Sequence, residues 1–331
     1  MKKFIYYFAL IAGTLLILVT LLSLIYDVRF WFLKVLDFPR LQKLIGLLIC
    51  LGLFLFVKRN WKYPSILFVS GLVISVIIQL TYIVPYTFLA KKEVASAAKD
   101  MEAESSVKLL VANVWMKNDK AQAFLDVVNE ADPDIIIAME TNTWWKEQLS
   151  SLQSKYPHHV LRPLDNTYGM LLYSKYPLEN TRVMHLKHKD VPSIHSKVTL
   201  PNGREFMLRA VHPVPPKPSE HPDNVGEKEL ELIKVGQMVT ERELPVIVAG
   251  DFNDVAWSRT SRLFGTESRL NDIRVGRGLY NSFDAKSFIM RWPLDHIFVS
   301  EDFRVADLQK LPKFGSDHFP IMAELILTTP E

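Results

Sequence analysis

Three long apolar blocks before residue 97 constrain this chain more than any other feature. The first runs from Phe4 to Tyr26 without a charge. The second, Leu44 to Val57, reaches spanning length only when Leu41 to Lys43 are added, and the third runs from Ser65 to Ala90 with Pro85 near its far end. A helix needs about 20 residues to cross the hydrocarbon core of a bilayer. The blocks therefore predict transmembrane helices over 4–26, 41–57 and 65–88, within a membrane region 1–92. Two alternatives remain open. Met1-Lys2-Lys3 resembles the basic start of a cleaved signal peptide, although the run that follows exceeds a typical signal core, lacks a small-x-small cleavage site and precedes two more blocks. The second block could instead lie in the interface, leaving two spans.

Three spans imply a multi-pass protein of the cell (inner) membrane with the lipid bilayer as its partner. Lys2, Lys3, Lys58, Arg59 and Lys62 fall on one side, and Arg29, Lys34, Arg40, Lys43, Lys91 and Lys92 on the other. Five against six gives the positive-inside rule no purchase. The basic start and the dense 58–62 loop favour the first side as cytoplasmic, which makes the rest of the chain extracytoplasmic. Cys50, the only cysteine, lies in the second block, so the remainder has no disulfide.

Charge divides with the chain. Residues 1–96 hold 11 basic and 3 acidic residues, a net of +8, whereas 97–331 hold 28 and 33, a net of −5. The basic excess suits anionic headgroups, and the remainder lacks the global basic excess of a non-specific DNA binder.

Glu93 to Ser106 is small and polar and reads as a linker over 93–106, leaving a domain over 107–331. Within it, strand-like runs (Val107 to Trp115, Asp134 to Glu140, Gly169 to Tyr173, Ser196 to Leu200, Glu205 to Val211, Leu294 to Val299, Ile321 to Leu327) alternate with helical ones. Asp119 is placed to cap a helix carrying Phe124 and Val128, Trp144 to Leu152 suggests a second helix, and Glu227 to Glu243 a third. Pro201-Asn202-Gly203 marks a hairpin. Hairpins mixed with helices predict an α/β (α+β) domain of mixed sheets covered by helices.

The apolar, mostly β-branched run Pro245 to Ala249 opens into Gly250-Asp251-Phe252-Asn253. On extended chain, residues two apart share a face, which sets Asp251 beside Asn253. A carboxylate beside an amide suits water activation next to a substrate that develops negative charge, though Gly, Asp and Asn also favour ordinary turns. Other strand ends carry polar groups too: Asn113, Glu140, His212, Asp295, and Asp317 with His318. Such a set offers carboxylate and amide oxygens without thiolates, the preference of a hard cation such as Mg²⁺. Each residue also has a plainer reading: Glu140 as a solvated strand end, His318 as a buried hydrogen-bonded histidine, His212 as loop structure. His158, His159, His185, His188, His195 and His221 show no metal spacing.

Asn113-Val114-Trp115, Ile137 to Glu140, Tyr168 to Leu178, Val211-His212-Pro213, Gly250-Asp251-Phe252-Asn253, Leu294 to Ile297 and Gly315-Ser316-Asp317-His318-Phe319-Pro320 follow one another in order. In this the chain resembles the endonuclease/exonuclease/phosphatase superfamily, which includes exonuclease III, DNase I, inositol-polyphosphate phosphatases and neutral sphingomyelinases. The His212-Pro213-Val214-Pro215-Pro216 run, Trp257 and the apolar front resemble a bacterial membrane-anchored branch of it. The resemblance implies a four-layer sandwich and a Mg²⁺-dependent (or Mn²⁺-dependent) phosphoesterase. It implies Glu140 as main metal ligand, with Asn113 a ligand or phosphate contact and Asp317 near metal or leaving group. Asp251 would be the base for the attacking water, and Asn253 a donor to the phosphate. Asp295 would orient a protonated His318, and His212 would add a second donor. The family's nucleases commonly carry an acid where this chain has Trp115, which argues against a second metal contact there. At 225 residues the domain lacks room for large recognition insertions.

The resemblance admits a lipid headgroup, a small phosphoester or a nucleic acid as substrate. Tethering and acidity favour the first two. Arg and Trp side chains at Trp257 to Arg262 and at Arg291-Trp292 keep a nuclease close behind. An inactive membrane-anchored binding module is the alternative of another class. No obligate protein partner is inferred, and the 277–291 loop carries no recognisable pattern.

Overall fold

The computed structural model describes residues 1–25, 31–58, 61–98, 103–215, 224–240 and 242–328. Tyr26, Arg29, Arg59, Pro216 and His221, named above, lie outside them, as does the middle of the 93–106 linker.

The apolar front folds as α1 (Lys2–Leu22), α2 (Trp31–Val35), α3 (Arg40–Val57) and α4 (Tyr63–Ile83), and a 3₁₀ turn, Val84–Tyr86, extends α4. Three helices, Lys2–Leu22, Arg40–Val57 and Tyr63–Tyr86, are long and apolar enough to cross a membrane. They pack on one another around Leu47, Cys50 and Leu72, and they turn large apolar side chains such as Phe8, Ile11, Leu48 and Ile74 outward.

The rest is built from β1 (Ser106–Asn113), α5 (Ala121–Ala131), β2 (Ile135–Met139), α6 (Thr143–Gln148), β3 (His158–Arg162), β4 (Met170–Ser174), β5 (Leu178–Met184), β6 (Ser193–Thr199) and β7 (Glu205–Ala210). After these come α7 (Asn224–Thr240), β8 (Val246–Asp251), α8 (Arg259–Ser268), β9 (Asn271–Asp272), β10 (Asp295–Val299), β11 (Phe303–Lys310) and β12 (Ile321–Leu327). Two mixed sheets result, ordered β11-β12-β1-β2-β4-β3 and β5-β6-β7-β8-β10-β9.

The expected mixed sheets covered by helices are what forms. Alternate residues of β1 and β2 (Leu109, Val111, Ile135, Ile137) meet Leu208, Ile247 and Ile297 of the other sheet in a core between the sheets. Their neighbours Leu110, Ala112, Ile136 and Ala138 bury against Phe124 and Trp145 of α5 and α6. Val246 and Val248 do the same against Val235, Val239 and Phe264 of α7 and α8. Strands covered on both faces must be apolar at every position, which explains their unbroken hydrophobic runs.

Several local expectations shift. Asp119 does not cap α5: Lys120 holds the cap position without a side-chain bond, and Asn118 Oδ1 accepts the Lys120 N–H at 3.2 Å. The helix expected over Trp144 to Leu152 is two pieces, α6, capped by Asn142 Oδ1 on Trp145 N–H, and a 3₁₀ turn, Ser150–Ser154. The first strand stops at Asn113 because Trp115 takes a left-handed φ of 57°, a region that turns a strand aside. The Pro201-Asn202-Gly203 turn is present, with Gly203 at φ 81°.

Candidate active site

The polar strand ends gather because of strand direction. β1, β2 and β8 all run toward one rim, with β1 and β2 parallel. β10 and β12 start there, since each is antiparallel to a strand that ends there, and Asp295 is the register partner of Asp251. Gly250 permits the last step of β8: its φ is 148°, and a Cβ there would stand 1.9 Å from Val211 O. Only glycine tolerates both conditions.

At this rim Asn113 Nδ2 donates to Glu140 Oε1 at 2.9 Å and to Asp251 Oδ2 at 3.0 Å. Its Oδ1 accepts the Trp115 N–H at 2.9 Å. Asn113 therefore spends both Nδ2 hydrogens on the two carboxylates and its oxygen on Trp115, which suits a bridge between carboxylates better than metal ligation. Glu140 and Asn253 both take left-handed backbone, at φ 58° and 53°, and non-glycine residues held so are typical of sites where geometry is over-determined by surroundings. Asn253 N–H donates to Asp251 Oδ1 at 2.7 Å, and Asn253 Nδ2 to Pro213 O at 2.9 Å.

A metal fits this donor set. Glu140 is half-buried, and among the described residues its Oε2 meets only Met116 N–H, at 3.4 Å. Asp295 Oδ1 is buried without a hydrogen-bond partner among the described residues. Carboxylate oxygens with spare capacity and no thiol match a hard divalent cation. One set of acids and histidine with metal-ligand spacing occurs among the described residues: Asp251, Asp295 and His318, whose ligand atoms lie within 4.8 Å of one another.

Within that set the geometry favours proton placement for His318. Its Nδ1 lies 2.7 Å from Asp295 Oδ2, and its Nε2 is 3.6 Å from Asp251 Oδ2. Burial pushes the imidazole pKa down, but the charges of Asp295 and Asp251, the hydrogen bond to Asp295 and the charge of Asp317 outweigh it and hold the pKa up to about 10. Two buried carboxylates around one imidazole stabilise its charged form. His212 is also buried, its Nε2 3.8 Å from Asp251 Oδ2 and its Nδ1 without a partner among the described residues. Asp317 is half-buried beside His318 and is not in the 4.8 Å cluster.

Two positioning residues escaped the sequence reading. Ser282 Oγ accepts the N–H groups of Leu294 and Asp295, at 3.2 and 3.1 Å, and no local pattern marks it. Ser316 Oγ donates to Asn113 O at 2.8 Å and accepts the His318 N–H at 3.0 Å; its place between Gly315 and Asp317 was the available signal. In the other direction, Trp257 is only 1% exposed, and its Nε1 donates to Asp37 O at 2.8 Å. It is part of the seam with the apolar helices and cannot stack on a base. Trp292 stacks on Phe283, whose ring lies 5.0 Å from His318.

Residues 110–318 match the sequence model described as the Endonuclease/Exonuclease/phosphatase family. The UPF0294 protein of Klebsiella pneumoniae (strain 342) is 24% identical over 269 residues, 75% of this chain and 92% of that protein. Among solved structures, D. rerio TDP2 humanized by 14 mutations superposes with a TM-score of 0.54 at 15% identity, covering 67% of this chain and 99% of that one. The endonuclease/exonuclease/phosphatase from Bacteroides vulgatus gives 0.54 at 18% identity, covering 67% and 99%. The human nocturnin catalytic domain with bound sulfate gives 0.52 at 16%, covering 74% and 99%. At these identities the structural likeness establishes the fold.

Proposed function

The chain belongs to the endonuclease/exonuclease/phosphatase family, whose members are metal-dependent hydrolases of phosphoester bonds, and we propose that it works from a membrane anchor on a lipid headgroup or small phosphoester. The observation that carries this reading is the double contact of Asn113 with Glu140 and Asp251, on the rim that also holds the His318–Asp295 pair. In this reading 1–92 is the membrane region, 93–106 the linker and 107–331 the catalytic domain.

Asp251, anchored by the Asn253 and Asn113 N–H groups, orients the attacking water and takes its proton. Asn253 spends one Nδ2 hydrogen on Pro213 O and keeps a second for the phosphate. His318, charged and fixed by Asp295, faces the phosphate as negative charge builds, and His212 adds a donor. Mg²⁺ or Mn²⁺, with Glu140 as main ligand and Asp317 close by, would polarise the phosphoester and neutralise the charge of the in-line displacement. Three apolar helices with outward-facing apolar side chains support the anchor. The net acidity of 97–331 and the burial of Trp257 weigh against a nuclease.

The test is hydrolysis by purified full-length protein, with Mg²⁺, Mn²⁺ or EDTA. Substrates are bis-p-nitrophenyl phosphate, sphingomyelin, phosphatidylinositol phosphates, plasmid DNA and RNA. Metal-dependent turnover of phospholipid or the small diester supports the proposal. Preferential cutting of DNA or RNA replaces it with the nuclease reading, and folded protein inert on every substrate replaces it with a binding module.

A further inference from the structure

The 284–291 loop ends in three consecutive apolar residues that the fold leaves in the open: Phe288 is 91% exposed, Ile289 74% and Met290 46%. Elsewhere among the described residues of the domain, large apolar side chains are exposed only singly and less (Trp144 37%, Ile233 40%, Leu263 39%), so three in a row mark an interaction surface. The two ends of the loop say what that surface meets. On one side Gln42 Nε2, in the first turn of α3, donates to Ile289 O at 2.6 Å, so the tip sits against the end of the apolar bundle. The same end of the bundle meets the catalytic domain through Tyr86 Oη on Ala256 O at 2.7 Å and Gly276 N–H on Pro85 O at 2.9 Å. On the other side the loop is part of the candidate active site: Ala285 N–H donates to Asp317 O at 2.7 Å, and Lys286 Nζ lies 3.4 Å above the Trp115 ring.

Charge points the same way. Lys286 and Arg291 bracket the tip, and Lys310, with Arg291, lies over the Phe319 ring. Cations beside an apolar tip meet anionic headgroups while the tip enters the acyl boundary, within a domain whose net charge is otherwise negative. We infer that the 284–291 loop inserts its Phe288-Ile289-Met290 tip into the lipid surface at the end of the helical bundle, and that it presents the candidate active site to a phosphoester carried by a lipid. This rests on the membrane anchor and phosphoesterase of the proposed function and deepens them by naming the surface from which substrate arrives.

The test is fluorescence of the full chain reconstituted in phosphatidylcholine vesicles containing phosphatidylglycerol. A Cys50→Ser background carries Phe288→Cys or, as a second site, Met290→Cys, labelled with an environment-sensitive nitrobenzoxadiazole dye. Glu243→Cys, exposed at the end of β8 remote from Asp251, is the control. Nitroxide-bearing lipids are expected to quench the tip labels about twofold or more, as an interfacial position requires, with iodide quenching only the Glu243→Cys label. Iodide quenching of both tip labels without lipid quenching overturns the inference. Carbonate extraction of the same vesicles separates the cases: an extractable chain overturns the anchor and the inference together, whereas a resistant chain with a water-exposed tip overturns the inference alone. The phosphoesterase assay is read independently of both.

Discussion

His318 Nδ1 lies 2.7 Å from Asp295 Oδ2, and this pair ties the two sheets together at the rim, since Asp295 opens β10 of one sheet and His318 leads into β12 of the other. Both side chains are buried. Removing one partner of a buried charge pair costs about 3–5 kcal/mol because the other charge is stranded. Asp295→Leu is therefore expected to destabilise the protein by about that amount, and His318→Gln with Asp295→Leu together by less than the sum. A double-mutant cycle in denaturant checks this; additive losses would show the two groups to be uncoupled.

Asp251→Asn keeps the side chain's shape but removes the base, and it leaves one acceptor oxygen where Asp251 uses two, for the Asn253 N–H and Asn113 Nδ2. Loss of a positioned base lowers rates by about 10²–10⁴. That drop is expected in bis-p-nitrophenyl phosphate hydrolysis, with the circular dichroism spectrum unchanged. A variant at the wild-type rate would exclude Asp251 as base, whatever the metal requirement.

Asn113→Ala is expected to act on the metal through its neighbours. Its Nδ2 holds Glu140 and Asp251 in place, and losing such a partner weakens metal affinity by about 10–100-fold. Titrating Mn²⁺ calorimetrically into wild type, Asn113→Ala and Glu140→Gln is expected to give the weakest binding for Glu140→Gln. Unchanged affinity in Glu140→Gln would move the ligand role elsewhere.

Much of this rim was legible because its strands are covered on both faces: Val246 to Ala249 and Ile135 to Ala138 carry no solvent-facing position to break the pattern. β3, β5 and β11 were not legible, for the converse reason. β3 and β11 are the edges of one sheet and β5 is an edge of the other. β5 is mostly exposed, and β11 carries a bulge between Val305 and Asp307, so alternation is lost there. The 277–291 segment reads as nothing locally because its partners, Gln42, Trp115 and Asp317, are distant in sequence. Trp257 was misread as a contact residue for the same reason: only tertiary structure sets Asp37 O against its indole.

His195, in β6, makes a pH prediction. Its Nδ1 lies 2.6 Å from Arg209 Nη1. Burial, then the Arg209 charge, push its pKa from 6.5 down to about 3. The folded protein keeps the ring neutral where the unfolded chain takes up a proton. Its contribution to stability is thus full above 6.5 and lost as pH falls from 6.5 toward about 3. Most carboxylates titrate below about pH 5, so few other groups change charge in the upper part of that window. Glu93 runs the opposite way, its carboxyl raised to about 7 by burial and then by Asp272, but it is common to both proteins and cancels in a difference. Stability of His195→Gln minus wild type is expected to rise as pH falls from 6.5 toward 5; parallel curves would remove His195 as the source.

The last prediction concerns sidedness. Arg40 at the start of α3 is buried, donating to Gln79 Oε1 of α4 at 3.2 Å and to Asp37, while Gln79 Nε2 reaches Thr20 Oγ1 of α1 at 2.9 Å. The end of α1, the start of α3 and the end of α4 are thereby held together, and the Asp37–Trp257 and Tyr86–Ala256 hydrogen bonds put the catalytic domain at that same end. It stands opposite Met1, Lys2, Lys3 and Lys58, and the five-against-six count of basic residues leaves the basic start and the 58–62 loop to decide which end is inside. A periplasmic-type alkaline phosphatase fused to the carboxy terminus is expected to be active and a green fluorescent protein there dark, with the reverse at the amino terminus. A fluorescent carboxy-terminal fusion would invert the proposed orientation, leaving the roles proposed for Glu140, Asp251 and His318 as argued.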